Sequence, residues 1–327
     1  MKQVSLLIYE DAILSCISGP LDLLTGVNQF LEEQGKRPAF KIELVSEKLK
    51  NIQLIHPAQF ICYKNLSDVQ SPDLIIVPSF YGQAVPVLEK NKAIINWIRE
   101  KYVKGAEVAS LCQGSYFLAE AGLLSGRSCT SHWMAMEDMK NRYPDISLQP
   151  DKVITDNDGI YTSGGAFSSL NLILYLIEKF CGREACVWMS KMFSIDMDKL
   201  SQAHFAVFQS QRKHNDEAVL LAQDYIEKNF HLPISVDEIS EKACMSKRNF
   251  IRRFRTATRN NPLEYLQRVR IESAKKALEN SEKQIQSLMY DVGYNDMKSF
   301  RTIFRRITGL SPQEYRRKYA RVENIVA

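Results

Sequence analysis

The sequence of 327 residues lacks the signals of membrane, secreted and nucleotide-dependent proteins. No apolar run reaches the roughly 18 residues that a membrane span needs. The first ten residues, MKQVSLLIYE, carry a charge at Glu10 and no small-residue cleavage site, which is typical of a first strand rather than a signal peptide. Neither a G-x-x-x-x-G-K-S/T loop nor a G-x-G-x-x-G turn occurs, which argues against nucleotide binding.

The seven cysteines form no framework of pairs. They are odd in number and scattered along the chain, which indicates a reducing cytoplasm. Cys181 and Cys186 lie five residues apart without a nearby histidine, so we expect no metal site. We expect no cofactor either.

Length and charge together indicate two dissimilar domains. The chain is too long for one ordinary core, and 45% of its residues are apolar, which excludes disordered and collagenous proteins. Residues 1–215 carry 22 Lys and Arg against 23 Asp and Glu, whereas residues 216–327 carry 21 against 15. Between residues 246 and 306 the count is 15 basic to 6 acidic. The basic part favours a polyanionic partner, and on charge alone a solvated basic face remains the alternative.

The first part of the chain alternates apolar strands with helical patterns. Continuously apolar runs predict buried strands over 4–9, 42–46, 74–78 and 107–112, and residues 158–165 add a late strand and turn. One helical stretch ends at Gly105, after VLEKNKAIINWIREKYVKG, and a closing helix ends at Gly182. This alternation predicts an α/β domain with a parallel sheet and helices on both faces.

From about residue 183 the pattern becomes entirely helical. Residues 196–215 are polar and mixed, which predicts a linker or a connecting helix. We therefore expect one domain over residues 1–195, a linker over 196–215 and an all-α domain over 216–322.

The helical domain contains an internal repeat with an offset of fifty residues. Six identities stand in register, pairing Phe250, Phe254, Arg255, Pro262, Glu264 and Tyr265 with Phe300, Phe304, Arg305, Pro312, Glu314 and Tyr315. They indicate two copies of one helical unit. In each copy the two phenylalanines, four residues apart, form an apolar stripe that builds the core.

Each copy places a short helix and a tight turn before its phenylalanine pair. In the first copy Ser235 is the predicted N-cap, with Glu238 completing a capping box, and Ser246 caps the second helix. In the second copy the chain turns at Gly293, and Asp296 is the cap. A bracing helix followed by a helix that enters the major groove is helix-turn-helix architecture. The candidate DNA-binding residues are Ser246, Lys247, Arg248, Ile251, Arg252 and Arg255 in the first copy, and Met297, Lys298, Arg301, Thr302 and Arg305 in the second.

Residues from about 216 to 320 resemble the DNA-binding domain of the AraC/XylS family, which has two helix-turn-helix units joined by a long helix. The matching positions are Ser246, Arg248, Arg252, Phe254 and Pro262 in the first unit, and Gly293-Tyr294, Phe300, Phe304, Gly309, Ser311-Pro312 and Tyr315-Arg316 in the second. The resemblance implies that a helix from roughly Pro262 to Glu279 holds two reading helices about one DNA turn apart. The expected base contacts come from Arg248, Ile251, Arg252, Lys298, Arg301 and Thr302.

Two departures from the family pattern bear on these contacts. Arg259 and Asn261 stand where the family usually has glycine and serine, so the turn before Pro262 is altered. Thr302 stands where a basic residue is common, and Lys298 occupies a usual serine position. We therefore expect an atypical base preference at the second half-site.

In the α/β domain, residues 109–127 place a cysteine between a strand and a helix. The buried strand ends at Leu111, Cys112 follows, and Gly114 and Ser115 open an apolar helix. A nucleophile at such a corner projects from the sheet edge, where N–H groups of the helix start stabilise a thiolate or an oxyanion. A single cysteine in this place is often inert packing, and that alternative stays open.

The surroundings of Cys112, with CTSHW (129–133), TSGG (162–165) and ISGPLDLL (17–24), resemble the PfpI-like branch of the class I glutamine amidotransferase-like fold. With the helical domain added, the chain is similar to GlxA-type AraC regulators. The resemblance implies a flavodoxin-like domain that senses a small metabolite, amino-acid-derived or an amine, at the carboxyl ends of the strands. The candidate pocket residues are Cys16, Tyr81, Gly82, Cys112, Gln113, His132 and Trp133. His132 and Trp133 are alternatively core residues.

Catalysis in that superfamily needs the cysteine, a histidine beside it and often a carboxylate near the first helix. Here Cys16 stands at the acidic position, no histidine occurs from 133 to 203, and PSFYG (78–82) replaces a Pro-Gly-Gly turn. A nucleophile without a base is poorly activated, so we predict a sensor without catalytic residues. The alternative is a Cys112-dependent amidase or hydrolase with an attached DNA-binding domain. The expected partners are double-stranded promoter DNA, the effector, a second copy of the chain and RNA polymerase, and no membrane.

Overall fold

A computed structural model describes residues 1–48, 50–55, 57–197, 201–212 and 214–320. The chain divides into two compact units, residues 1–202 and residues 203–327. No helix within the described ranges is long and apolar enough to cross a membrane.

The first unit is built on a seven-stranded sheet with the order β10-β11-β7-β6-β1-β2-β5. Neighbouring strands are parallel except β10 and β11, which are antiparallel. The strands of this unit are β1 (Lys2–Leu7), β2 (Phe40–Ser46), β3 (Lys50–Gln53), β4 (Gln59–Cys62), β5 (Lys64–Asn65), β6 (Leu74–Val77), β7 (Glu107–Ser110), β8 (Ser128–Cys129), β9 (Ser147–Leu148), β10 (Ile154–Asn157) and β11 (Ile160–Ser163). Strands β3 and β4, and strands β8 and β9, form two separate small sheets.

The central strands confirm the predicted fold class. Strands β2, β1, β6, β7 and β11 have the order 2-1-3-4-5 when they are numbered along the chain, which is the flavodoxin-like order. Every residue of β6 is buried, as expected for a strand covered on both faces. The helices of this unit are α1 (Ser15–Glu33), α2 (Ala84–Lys90), α3 (Lys92–Val103), α4 (Ser115–Glu120), α5 (Met136–Arg142), α6 (Ser169–Cys181) and α7 (Arg183–Met192).

The helix predicted to run to Gly105 is divided in two at Asn91. Residue Asn91 has φ −109° and ψ 27°, and its side-chain amide donates a 2.8 Å hydrogen bond to the Val87 carbonyl of α2. This side chain competes with the backbone for the last carbonyls of α2, so the helix ends there and α3 begins at the next residue.

The described residues of the second unit form helices and no strand, as predicted. Its helices are α8 (Glu217–Asn229), α9 (Val236–Lys242), α10 (Lys247–Thr258), α11 (Pro262–Asn280), α12 (Ile285–Asp291), α13 (Met297–Thr308) and α14 (Pro312–Tyr319). Helices α9 and α10 form the first helix-turn-helix unit, and α12 and α13 form the second. One hydrophobic core contains Phe250 and Phe254, another contains Phe300 and Phe304, and α11 contributes residues to both.

Residues predicted as a linker make specific contacts. Gln202 is 1% exposed, and its amide nitrogen donates to Thr130 Oγ1 and to the Ser131 carbonyl of the first unit. The following residues, 203–212, contact helices of the second unit. The domain bounds 1–195, 196–215 and 216–322 stay predictions.

Candidate nucleic-acid interface and ligand pocket

Helix α10 is held by its two phenylalanines and presents a basic face to solvent. Phe250 and Phe254 are fully buried with ring centroids 5.3 Å apart, because residues four apart share one side of a helix. Most of the predicted DNA-binding residues of this helix are exposed: Ser246, Lys247, Arg248, Arg252 and Arg255. Ile251 is partly buried. The face opposite the core is therefore basic and available to a polyanion.

Helix α13 repeats this arrangement fifty residues later. Phe300 and Phe304 are fully buried, and the exposed predicted residues are Lys298, Arg301, Thr302 and Arg305. Met297 differs from its predicted outward position, because it is partly buried and packs against the second core. An apolar side chain one turn before Phe300 gains more by covering that core than by facing water.

The N-caps of α10 and α13 are not equivalent. Asp296 Oδ2 accepts a 2.7 Å hydrogen bond from the Ser299 N–H, and hydrogen bonding by Ser299 lowers the pKa of Asp296. Ser246 occupies the corresponding N-cap position, but its side chain makes no cap hydrogen bond. The capping box predicted for α9 is half formed: Ser235 Oγ accepts the Glu238 N–H, whereas the Glu238 carboxylate accepts the Tyr225 hydroxyl.

The turn between α12 and α13 is one residue longer than the turn between α9 and α10. The left-handed position of the first turn is Cys244, with φ 53°, and that of the second is Gly293, with φ 84°. These residues are 49 apart, whereas the caps that follow them, Ser246 and Asp296, are 50 apart. The second turn thus contains one additional residue, which the sequence repeat did not reveal.

In the first unit, Cys112 lies at a strained corner after β7. Its φ is 56°, a left-handed conformation that non-glycine residues rarely adopt. A Cβ on Gly114 would lie 2.5 Å from the Val77 carbonyl oxygen, so only glycine fits there. The Gln113 N–H donates to Ser79 Oγ (3.2 Å) and the Cys112 N–H faces Ser163 Oγ (3.4 Å). The corner amides therefore already contact protein hydroxyls.

Two predicted pocket residues, Cys16 and Cys112, meet at Ser79. The Ser79 backbone N–H faces the Cys16 sulfur, and its hydroxyl faces the Cys112 sulfur. Burial raises the pKa of Cys16 to about 11 and that of Cys112 to about 12, and the neighbouring Cys16 adds to the second shift. These hydrogen bonds oppose burial only in part, so both groups are neutral thiols at physiological pH.

The remaining predicted pocket residues lie in the segments that follow β6, β7 and β8. His132 lies beside Gly165, burial lowers its pKa, and its Nδ1 accepts the Met134 N–H at 3.2 Å. The centroid of the Trp133 ring is 5.3 Å from that of His132. Tyr81 and Gly82 are exposed, and Gln113 is partly buried. The Nδ1 atom of His132 is thus occupied by a backbone N–H.

A cavity of about 230 Å³ opens at the carboxyl ends of β1 and β2. Its lining consists of Ile8, Tyr9, Glu10, Asp11, Ser46, Glu47, Lys48, Ile52, Lys90, Asn91 and Ile94. An ion pair between Lys90 Nζ and Asp11 Oδ2, 3.5 Å long, belongs to this lining. The cavity lies where ligands bind in open α/β sheets, but its lining includes none of the seven predicted pocket residues.

Two family patterns match the chain. The DJ-1/PfpI family matches residues 21–179, and a helix-turn-helix domain matches residues 239–318. The two matches fall on the α/β unit and on the helical unit.

Two similar proteins of Pseudomonas aeruginosa carry the name of transcriptional regulators. The chain is 25% identical over 252 residues to the HTH-type transcriptional regulator CdhR of Pseudomonas aeruginosa, covering 77% of this chain and 74% of that protein. It is 25% identical over 226 residues to the regulator GbdR of the same species, covering 68% of this chain and 60% of that protein. An isonitrile hydratase of Pseudomonas putida is 26% identical over 180 residues, covering 55% of this chain and 72% of that protein.

Solved structures share the fold of the α/β unit. A putative transcriptional regulator from Vibrio parahaemolyticus superposes with a TM-score of 0.53 at 21% identity, covering 58% of this chain and 98% of that chain. At this identity the likeness concerns the fold alone.

Proposed function

Since the chain is a DNA-binding transcriptional regulator in which a DJ-1/PfpI domain is fused to an AraC-type helix-turn-helix domain, we propose that both α10 and α13 read promoter DNA and that the DJ-1/PfpI domain senses a small metabolite. The observation that supports the first part is the pair of exposed basic faces, each opposite a buried phenylalanine pair. Arginine in the major groove pairs bidentately with guanine, and the other cations bind phosphates.

Selection of DNA from a random-sequence pool by the full-length protein tests the proposal that α10 and α13 read promoter DNA. We expect the selected DNA to contain two half-sites about ten base pairs apart. Arg252→Ala should relax the base preference at one half-site and Arg301→Ala at the other, at a cost of about 1–3 kcal/mol each. The affinity of the wild-type protein should also fall steeply with salt, because several phosphate contacts release counterions. A flat salt profile would contradict the assignment of the basic faces.

A sensor rather than an enzyme is supported by the state of Cys112. Burial raises the pKa of Cys112 and lowers that of His132, so the neutral forms of both groups are favoured over a thiolate and an imidazolium. We keep the seven predicted residues as the candidate effector pocket, with an amine or an amino-acid-derived compound as effector. The effector would act by binding two arrangements of the DNA-binding domains with different affinity.

A thermal-shift screen against amines, amino acids and betaines tests the sensor, with Cys112→Ala beside the wild-type protein. A ligand that binds only the folded state raises the melting temperature. We expect the same ligand to stabilise both proteins, because binding needs no covalent bond to the thiol. DNA footprinting at saturating ligand should then show a changed protected region.

The second candidate function is a Cys112-dependent enzyme. It is favoured by the strained φ of 56° at a strand-to-helix corner and by the similarity to an isonitrile hydratase. A stabilising ligand that acts on the wild-type protein alone, together with turnover or a covalent adduct at Cys112, would establish it.

We further propose that the regulator works as a homodimer in the cytoplasm and contacts RNA polymerase at its promoters. Sedimentation of the full-length protein with and without selected DNA tests the dimer. A monomer in both conditions would contradict it.

A further inference from the structure

The two helix-turn-helix units have separate cores that meet only along a few elements. Helix α11 contributes Tyr265 and Leu266 to the first core and Ile271, Ala274 and Leu278 to the second. Because each core is small, the spacing of α10 and α13 depends on α11 and on other residues that contact both units.

Residues 203–212, which we name the clamp segment, contact at their carboxyl end α8, the turn after α10 and the first residues of α11. The Phe208 ring packs edge-on against Tyr265, with centroids 5.2 Å apart. Asn260 Nδ2, in the turn after α10, donates to Gln211 Oε1 at 3.2 Å. Arg212 forms ion pairs with Asp224 and Glu227 of α8.

The amino end of the clamp segment contacts α14, which packs on the second core. His204 Nε2 lies 2.9 Å from Lys318 Nζ of α14, and the same ammonium lies 5.5 Å from the centre of the Phe205 ring. His204 is itself buried. The clamp segment therefore spans from α14 to the turn that follows α10.

Lys275 of α11 anchors the middle of the clamp segment. It is 3% exposed, and its Nζ donates to the Ala206 carbonyl (2.6 Å) and to Glu272 Oε2 (2.8 Å). Glu272 Oε2 in turn accepts the Phe208 N–H at 3.1 Å. Lys275 Nζ also lies 5.9 Å from the Tyr315 ring centre. A buried ammonium is tolerated only where all these partners are in place, so this geometry is tightly constrained.

We propose that the clamp segment fixes the spacing of the two reading helices, with Lys275 as its positioning residue. Its effect on DNA rests on the proposed DNA-reading function, whereas its effect on the distance between the helices does not. The clamp segment directly follows residue 202, the last residue of the α/β unit. It is therefore also the covalent connection through which an effector bound to that unit would change the spacing of α10 and α13.

The DNA test compares full-length Lys275→Met with Lys276→Met, a control that removes the same charge from an exposed position of the same helix. Inserting one base pair between the selected half-sites rotates one of them by about 35° relative to the other. We expect the insertion to weaken wild-type and Lys276→Met binding at least about tenfold and Lys275→Met binding less than about threefold. Binding to a single half-site should be equal in all three.

A second measurement does not need DNA. Spin labels on noncanonical amino acids at Thr256 and Thr302, both exposed, report the distance between α10 and α13 by pulsed electron paramagnetic resonance. We expect one narrow distribution in the wild type and in Lys276→Met, and a broad one in Lys275→Met. Phe208→Ala, which alters the clamp segment itself, should broaden it too and serves if Lys275→Met does not fold by circular dichroism.

Unchanged distance distributions in folded Lys275→Met and Phe208→Ala, with unchanged spacing discrimination, would overturn the proposal. If the wild-type protein selects no DNA, the proposed function fails, and the distance distributions still decide whether the clamp segment acts as described.

Discussion

The two helix-turn-helix units build their separate cores in the same way, around a phenylalanine pair, but differ in their turns and caps. Both left-handed positions of the second unit are glycines, Gly293 and Gly309, whereas the first unit has Cys244 and Arg259 there. Ser311 forms a full capping box with Glu314, whereas Asn261 makes no cap hydrogen bond. The first helix-turn-helix unit therefore carries local backbone strain that the second avoids.

The largest expected effect concerns the glycine of the second turn. In Gly293→Ala the new Cβ would lie 2.7 Å from the Phe230 carbonyl oxygen, at φ 84°. We expect a loss of roughly 3 kcal/mol, from left-handed strain and from overpacking. Urea unfolding with amide hydrogen exchange of α12 and α13 measures it. Cys244→Gly is the matched control and should instead stabilise the first unit; equal responses of the two turns would contradict the comparison.

The next effect concerns the position after each reading helix. Arg259 has φ 57°, so Arg259→Gly relieves strain but adds backbone entropy to the unfolded chain. We expect a net gain of about 0.5–1 kcal/mol, seen as slower hydrogen exchange in α10. Gly309→Arg should give a loss of similar size in α13. A gain in α13 would show that the two positions are not equivalent.

A smaller effect is expected at the start of α11. Asn261→Ser should allow the capping box that Ser311 and Glu314 form in the second unit, with Glu264 as the partner. The expected gain is about 0.5 kcal/mol, because a serine cap satisfies one further N–H of the first turn. Thermal unfolding of the double variant Asn261→Ser and Glu264→Ala provides the control. Compared with Glu264→Ala alone, it should keep the gain from the serine cap and lose only the part that comes from the Glu264 carboxylate accepting the N–H of residue 261.

The smallest expected effect is a pH dependence of stability that only the first helix-turn-helix unit should show, through Asp216 beside α10. Hydrogen bonds from Arg253 lower the pKa of Asp216, so this carboxylate stabilises the fold at pH above its ordinary pKa, and the contribution is lost as the pH falls through the lowered value. In the second helix-turn-helix unit Ile303 stands at the position that corresponds to Arg253, so this hydrogen bond has no counterpart there. The melting temperatures of wild type and Asp216→Asn should differ near pH 6 and converge in acid. A constant difference would show that Asp216 acts only as the helix cap.

The parts of the fold that follow from local pattern were predictable. Continuous apolar runs predicted the strands, and phenylalanines four residues apart predicted the buried sides of α10 and α13. Both patterns can be recognised within a few consecutive residues, so no knowledge of tertiary contacts is needed. The division at Asn91 and the position of Met297 depend on one side-chain bond and one packing contact that periodicity does not contain.

The site was less predictable, for the same physical reason. The additional residue in the second turn is hidden because it shifts only the bracing helix. The mixed composition of the clamp segment gives no sign that its backbone bonds to the buried Lys275–Glu272 ion pair of α11. The cavity beside β1 and β2 is lined by residues from four separate parts of the chain, which only the tertiary fold brings together.

We propose that two unequal helix-turn-helix units read two half-sites, and footprinting of the selected DNA tests this most directly. The wild-type protein should protect two segments about one helical turn apart, with Arg252→Ala exposing one and Arg301→Ala the other. A single protected segment, or one affected equally by both substitutions, would contradict it.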